Sequence, residues 1–77
     1  MLSLSARLKQ VRDRKVMTQE ELAAAAGVPV VTISRIENGH TGEPRPSTVR
    51  KLAKALGVDP TWLIFGAEDD QAEKRAA

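Results

Sequence analysis

The 77-residue sequence predicts an all-α fold built from five short helices. Apolar residues recur at about every third or fourth position, which is the period of a helix with one buried face. Residues that favour helix starts and helix ends stand between these runs at regular intervals. No stretch shows the alternation of apolar and polar residues that marks a half-buried strand. A chain of this length is expected to form one domain with a small core.

The first two helices have clear boundaries in the sequence. Ser3 can cap a helix that runs to about Lys15. Thr18 and Glu21 have the spacing of a capping box, which predicts the start of a second helix. Gly27 is expected to end it, because glycine adopts a left-handed backbone at low cost. The residues expected on the buried faces are Leu4, Leu8 and Val11 in the first helix, and Leu22, Ala23 and Ala26 in the second.

Three more helices follow. The third is predicted from residue 29 or 30 to residue 37, where Asn38-Gly39 stops it. The fourth is expected to start at the cap Ser47 and to end at Gly57, and the fifth to start at the cap Asp59. The residues expected to face inward are Val49, Leu52, Ala53 and Leu56 in the fourth helix, and Trp62, Leu63 and Phe65 in the fifth.

Charge divides the chain into two parts. Residues 1–66 carry ten Lys/Arg and six Asp/Glu, whereas residues 67–77 carry two and four. We expect residues 1–66 to form the folded domain and residues 67–77 to be a disordered polar tail or a linker. A basic domain permits nucleic-acid binding without requiring it.

Composition argues against several classes of protein. The sequence has no cysteine and one histidine, so we expect no disulfide, no metal and no cofactor. The N-terminus lacks the apolar core of a signal peptide, and no apolar run reaches the length of a membrane span. No phosphate-binding loop and no pair of acids across a cleft is recognisable, so an enzyme is not expected.

The second and third helices are joined by a short turn that contains Gly27. Such a turn is typical of a helix-turn-helix, but an ordinary helical bundle with a sharp corner has the same local spacing. The spacing alone leaves both interpretations open.

The segment TQEELAAAAGVPVVTISRIENG resembles the helix-turn-helix of the Cro/C1-type (XRE-like) family, which includes the lambdoid phage repressors. LAKALGV and a Trp-Leu pair near the end extend the similarity over residues 3–66. The resemblance implies a compact five-helix, lambda-repressor-like DNA-binding domain over residues 1–66, with the helix-turn-helix at helices two and three. Two features differ: Pro29 stands where the family often has a Ser or Thr cap, and the length of the 40–46 loop varies in the family.

Two adjacent valines open the third helix. Each helical residue turns the side chain by about 100°, and Ile33 and Ile36 define the inward face. Val31 and Arg35 therefore point outward, and Val30 lies at the flank. An exposed valine can meet the C5-methyl group of thymine in the DNA major groove. The alternative for both valines is packing at the edge of the core.

The resemblance adds roles for individual residues. It implies base contacts for Val30, Val31 and Arg35, phosphate or backbone contacts for Gln19 and Asn38, and a partly buried ion pair between Arg12 and Glu37. From position alone, Ser34 is a candidate for base contact, and Thr18, Thr32 and Arg45 are candidates for phosphate contact. The alternative is a plain helix surface for Ser34 and Thr32, and a stiffened turn for Arg45. For Gln19 it is a solvated surface amide, and for Asn38 a role in stopping the helix.

The sequence thus predicts a cytoplasmic, bacterial or phage-encoded regulator that binds double-stranded DNA sequence-specifically. Its simplest form is a repressor that binds an inverted-repeat operator as a homodimer. Apolar Val58 and Pro60 make the fifth helix and the corner before it the expected dimer contact. The alternatives are an antitoxin that binds a toxin and its own operator, and the DNA-binding part of a longer regulator.

Overall fold

The computed structural model describes residues 3–40 and 44–66. Five α-helices follow one another, and no strand occurs within the described ranges. The helices are α1 (Leu4–Arg14), α2 (Gln19–Ala26), α3 (Val30–Glu37), α4 (Pro46–Leu56) and α5 (Pro60–Phe65). The predicted all-α, five-helix fold is therefore confirmed. The tail predicted for residues 67–77 lies outside the described residues.

Polar side chains begin three of the helices where the sequence predicted them. The Ser3 hydroxyl accepts a hydrogen bond from the first turn of α1. Thr18 and Glu21 form both bonds of the capping box at α2. The Asp59 carboxylate accepts two backbone N–H groups of α5. These caps satisfy N–H groups that have no partner inside their own helix.

The predicted cap of α4 was wrong. Arg45 occupies the cap position, Pro46 is the first helical residue, and Ser47 lies inside the first turn. The proline ring fixes φ near the helical value, and the N–H group that proline lacks is not needed at that position. The helix therefore begins before Ser47, and no side chain caps it.

The first four helices each end with a left-handed residue, which is a glycine after α2, after α3 (Gly39, with a φ of 70°) and after α4. Gly27 after α2 and Gly57 after α4 have a φ of 72°. After α1 the left-handed residue is Val16, with a φ of 55°. The next N–H group, of Met17, returns to the Arg12 carbonyl. A β-branched residue in this conformation is strained, since its Cβ crowds the carbonyl oxygen. Val16 is also 88% exposed, so no packing compensates for the strain.

All five helices contribute to one core. Its buried apolar residues are Leu8, Val11, Leu22, Ala23, Ile33, Ile36, Val49, Leu52, Ala53, Leu56, Val58, Trp62 and Leu63. Leu4, predicted to be buried, is half-buried against this core. Phe65, also predicted to face inward, is 61% exposed. With about 100° per residue, the inward face of α5 lies between Trp62 and Leu63, and Phe65 falls outside it.

Arg7 is buried on the same face of α1, and the sequence analysis missed it. Its Nε donates to the Leu63 carbonyl at 2.9 Å, and its Nη2 donates to the Ile64 carbonyl. Gly66, with a φ of 93°, packs so closely that a Cβ there would overlap the guanidinium. The sequence did indicate that Arg7 faces inward, because residue 7 is three positions after Leu4 and therefore lies on the buried stripe of α1.

Candidate nucleic-acid interface

The α2–α3 corner forms the helix-turn-helix. Gly27 ends α2, and Pro29, with a φ of −63°, stands at the cap position of α3 without a capping side chain. Ile33 and Ile36 fix the inner face of α3 in the core. The opposite side of α3 therefore projects from the domain.

Val30, Val31 and Arg35 form the outward side of α3, which we call the reading face. Val30 is 40% exposed and Val31 is 49% exposed. Arg35 is exposed as well, and its side chain has no hydrogen bond or ion pair with any residue in the described ranges. All three side chains are free to meet a partner. Helical geometry predicted outward placement for Val31 and Arg35 and a flank position for Val30, and Val30 is the less exposed of the two valines.

Three polar candidates lie along the same helix. The Asn38 amide donates to the Ser34 hydroxyl over 3.3 Å, which places both side chains near the end of α3. Ser34 and Thr32 are half-buried, and Asn38 is exposed. Their contacts with bases or phosphates stay predictions.

A buried carboxylate joins three helices behind the reading face. Glu37 Oε2 accepts from Arg12 Nε at 2.7 Å, and Glu37 Oε1 accepts from Arg12 Nη2 and from Gln19 Nε2, each at 3.0 Å. The side chain of Glu37 is 3% exposed and that of Arg12 is 12% exposed. Arg12 Nη1 also donates to the Met17 carbonyl at 2.7 Å. We call Arg12, Gln19 and Glu37 the Glu37 cluster.

The opposite charges of Arg12 and Glu37 stabilise each other in the Glu37 cluster. Burial by itself would raise the pKa of Glu37, but the hydrogen bonds from Arg12 and Gln19 and the nearby positive charge outweigh it and leave the pKa below its ordinary value. The hydrogen bond to Glu37 raises the pKa of Arg12. Both groups therefore stay charged, and the pair is a bidentate ion bridge between α1 and the end of α3.

Ser5 is a further support that the sequence analysis missed. Its hydroxyl donates to the Ile36 carbonyl at 2.6 Å. The same carbonyl, in the last turn of α3, also accepts from the Gly39 N–H at 3.1 Å, so Ser5 supplies it with a second donor and ties α1 to the end of α3. A serine on the half-buried edge of α1 was the only sign in the sequence, and 31 residues separate the two partners.

The start of α2 has fewer free donors than the sequence suggested. The Thr18 N–H group donates to Glu21 Oε1 at 2.8 Å, and the Thr18 hydroxyl accepts from the Glu21 N–H at 3.0 Å. The backbone N–H of Thr18 is therefore occupied. The N–H groups of Gln19 and Glu20 lie in the first turn and have no intrahelical partner. The Gln19 side chain itself belongs to the Glu37 cluster.

The remaining candidates lie outside the α2–α3 corner. Arg45 is exposed at the start of α4. Val58, expected at a dimer surface, is buried in the core instead, because the chain folds back there to bond the Ala53 carbonyl. The exposed apolar residue of this region is Phe65, next to a groove between α4 and α5.

Two classes of site have no basis in the described ranges. Within residues 3–40 and 44–66, no cluster of three or more His, Asp or Glu side chains could hold a metal ion. None of the helices in these ranges has both the length and the apolar character needed to cross a bilayer.

Comparison with known proteins identifies the family. Residues 8–63 match the family model described as Helix-turn-helix, so the chain belongs to the Cro/C1-type helix-turn-helix family that the sequence resembles. The structure is similar to the crystal structure of the P22 c2 repressor protein in complex with the synthetic operator 9T. The TM-score is 0.80 at 30% identity, over 87% of this chain and 100% of the repressor chain.

Curated relatives include regulators and an antitoxin. The HTH-type transcriptional repressor RghR of Bacillus subtilis (strain 168) is 40% identical over 67 residues, which are 87% of this chain and 50% of RghR. The putative antitoxin HigA2 of Mycobacterium tuberculosis is 39% identical over 51 residues, which are 66% of this chain and 50% of HigA2. The chain thus spans about half the length of these relatives.

Proposed function

We propose that this protein is a transcriptional repressor that binds double-stranded DNA sequence-specifically, with α3 in the major groove. The observation that carries the proposal is the reading face: two valines and an arginine stand exposed on a helix whose other side is fixed in the core. Similarity to RghR and to the operator-bound P22 c2 repressor supports the same function. The function is binding in the cytoplasm of a bacterial cell, without a catalytic step.

The base contacts follow from the chemistry of the reading face. Val30 and Val31 offer only hydrocarbon and suit thymine methyl groups, whereas Arg35 suits guanine O6 and N7. Ser34 lies beside them as a second polar contact. The phosphate contacts that we assign are Thr18 through its hydroxyl, Gln19, Thr32, Asn38 and Arg45.

Two copies on an inverted repeat complete the proposal. A symmetric dimer places two α3 helices about 34 Å apart, on successive turns of one side of the duplex. Exposed Phe65 with half-buried Ile64 on α5 is the apolar surface available for that contact. The surface is small, so we expect dimers on DNA and monomers at low concentration without it.

Similarity to HigA2 favours one second function, that of an antitoxin which binds a toxin protein and its own operator. The repressor is the better-supported proposal, because the similarity to RghR covers 87% of this chain whereas that to HigA2 covers 66%, and the operator-bound P22 c2 repressor shares the fold. A chain that selects no duplex, yet forms a stable complex with a protein encoded beside it, would reverse this order.

Selection of duplexes from a random pool, followed by affinity measurements over a salt series, tests the proposal. We expect a two-fold symmetric site and an affinity that falls steeply with salt, since contacts to phosphates release counterions. Arg35→Ala should lose about 1–3 kcal/mol of discrimination at one base pair per half-site. Lys54→Ala removes the same charge from an exposed site on α4 and should leave base preference unchanged.

Three results would contradict the repressor proposal. They are no enriched sequence in the selected pool, an affinity that is flat with salt, and equal loss of base preference in Arg35→Ala and Lys54→Ala.

A further inference from the structure

Building on the proposed function, we infer that the reading face recognises one dinucleotide step: a pyrimidine with a C5-methyl group, followed by guanine. Val31 contacts the methyl group and Arg35 contacts the guanine. Thymine and 5-methylcytosine both supply that methyl group, so binding is expected to respond to cytosine methylation.

The spacing of Val31 and Arg35 places them over neighbouring bases. Residues four apart on a helix lie on the same side, with Cβ atoms about 5–6 Å apart. Side chains in a helix lean toward its N-terminus, so the long Arg35 stem leans back toward Val31. Successive base pairs are separated by about 3.4 Å along the duplex. The two side-chain ends therefore suit one base-pair step and not two distant ones.

Both side chains are available for this contact. Val31 is about half exposed, and Val30 beside it widens the apolar surface. The guanidinium of Arg35 has no hydrogen bond or ion pair within the part of the chain that the structure describes. Ser34 accepts a hydrogen bond from Asn38, which draws its hydroxyl toward the end of α3. The centre of the reading face is thus a hydrocarbon next to a cation with five donors.

Valine cannot distinguish the two methylated pyrimidines by hydrogen bonding. In the major groove, thymine presents O4 and a C5-methyl group, whereas cytosine presents an N4 amino group at the corresponding edge. A side chain with a donor would favour thymine O4, and one with an acceptor would favour cytosine N4. Val31 has neither, so its contact depends on the methyl group alone. We therefore expect the protein to recognise 5-methylcytosine before guanine in the same way as thymine before guanine.

Four versions of the selected duplex test the inference. At the pyrimidine before the guanine that Arg35 reads, the duplexes carry thymine or uracil paired with adenine, or 5-methylcytosine or cytosine paired with guanine. Within each pair only the methyl group differs. We expect thymine to bind about fourfold tighter than uracil, and 5-methylcytosine about fourfold tighter than cytosine, as one buried methyl group predicts.

Two variants of Val31 and one control sharpen the result. Val31→Ala should bring both methyl ratios close to one. Val31→Thr keeps one methyl group and adds a hydroxyl that can either donate to thymine O4 or accept from cytosine N4, so both methyl ratios should stay above one. Val16→Ala removes an exposed valine elsewhere on the surface and should preserve both ratios.

The outcomes distinguish this inference from the proposed function. If a specific, salt-sensitive site is found but neither methyl ratio exceeds one, or only the thymine ratio does, the inference is overturned and the repressor proposal stands. If no duplex is selected at all, the repressor proposal fails first. A pyrimidine–guanine step that is absent from the selected site also overturns the inference.

Discussion

Arg7 and Arg12 lie on the same helix, and both turn inward, yet they stabilise different parts of the molecule. Arg7 donates to the carbonyl groups of Leu63 and Ile64 at the end of α5. Arg12 donates to the Glu37 carboxylate at the end of α3 and to a carbonyl in the α1–α2 turn. Each guanidinium thus sits at the C-terminal end of another helix, where the helix dipole favours a positive charge.

The difference between the two sites lies in the acceptor. A backbone carbonyl keeps its hydrogen-bonding character at any pH, whereas a buried carboxylate has to remain ionised to hold its arginine. Arg12 is also the one of the two that reaches the helix-turn-helix. We therefore expect Arg7 to stabilise α5, and Arg12 to stabilise the packing of the end of α3 against α1.

The largest effect is expected from Glu37→Ala, which takes from partly buried Arg12 its bidentate partner and leaves it the Met17 carbonyl and the exposed carboxylate of Asp13, 3.5 Å away. Loss of one member of such a pair costs about 3 kcal/mol, or roughly 10–20 °C in Tm for a domain of this size. Base preference should change much less, because the reading face is not altered. Thermal unfolding and binding to the selected duplexes measure the two effects, with exposed Glu20→Ala as control. An unchanged Tm would show that the pair does not stabilise the fold.

Arg7→Met should have the next largest effect. Methionine fills much of the space of the arginine stem but donates no hydrogen bond, so two carbonyl groups at the end of α5 lose their donor at a cost of about 2 kcal/mol. Hydrogen exchange should rise in α5 more than in α3. Equal acceleration in both helices would remove the contrast between the two arginines.

Acid should weaken the Arg12 site to a smaller extent. The pKa of Glu37 is below its ordinary value of 4.5 in the folded protein. The ionised Glu37 carboxylate therefore contributes fully to the free energy of unfolding above pH 4.5, and this contribution is lost as the pH falls through the lowered pKa. Arg12, Gln19 and Lys9 are the groups that favour the charged carboxylate. In urea unfolding, the advantage of the native protein over Glu37→Gln should shrink on acidification, and a constant difference would contradict this.

The smallest effect is a gain in stability toward unfolding, which we expect from Val16→Gly in the turn beside Met17. Glycine relieves the left-handed strain but adds freedom to the unfolded chain, which leaves a net gain of about 0.5 kcal/mol. Val16→Ala keeps the strained conformation and should change stability little. If glycine lowers the urea midpoint, the turn that supplies Arg12 with its second acceptor is not strained.

Local signals in the sequence predicted most of the fold. Caps and helix ends depend on a few consecutive residues, so Ser3, the capping box and Asp59 were placed correctly. Ser47 was misplaced because a preceding proline can begin a helix without a side-chain cap. Phe65 was misplaced because α5, with six residues, has fewer than two turns from which to read a buried face.

The site depended on contacts between distant residues, which spacing does not reveal. Arg12 and Glu37 are 25 positions apart, and only the family resemblance suggested their pairing. The position of Arg7 on the buried stripe was readable, but the acceptors of Ser5 and Arg7 lie 31 and 56 positions away, so the sequence did not show what either side chain bonds. The exposure of the two valines was predictable, since it follows from helical geometry once Ile33 and Ile36 are assigned to the core.

Support for α3 is concentrated at one end. The side-chain bonds that reach α3 from other helices in the described ranges all arrive at Ile36 and Glu37. The first turn, with Val30 and Val31, receives none and has no capping side chain. Substitutions in that turn therefore remove no internal bond. During evolution, the preferred target sequence of such a domain can diverge through these positions while the scaffold retains its stability, so relatives with one architecture can recognise unrelated operators.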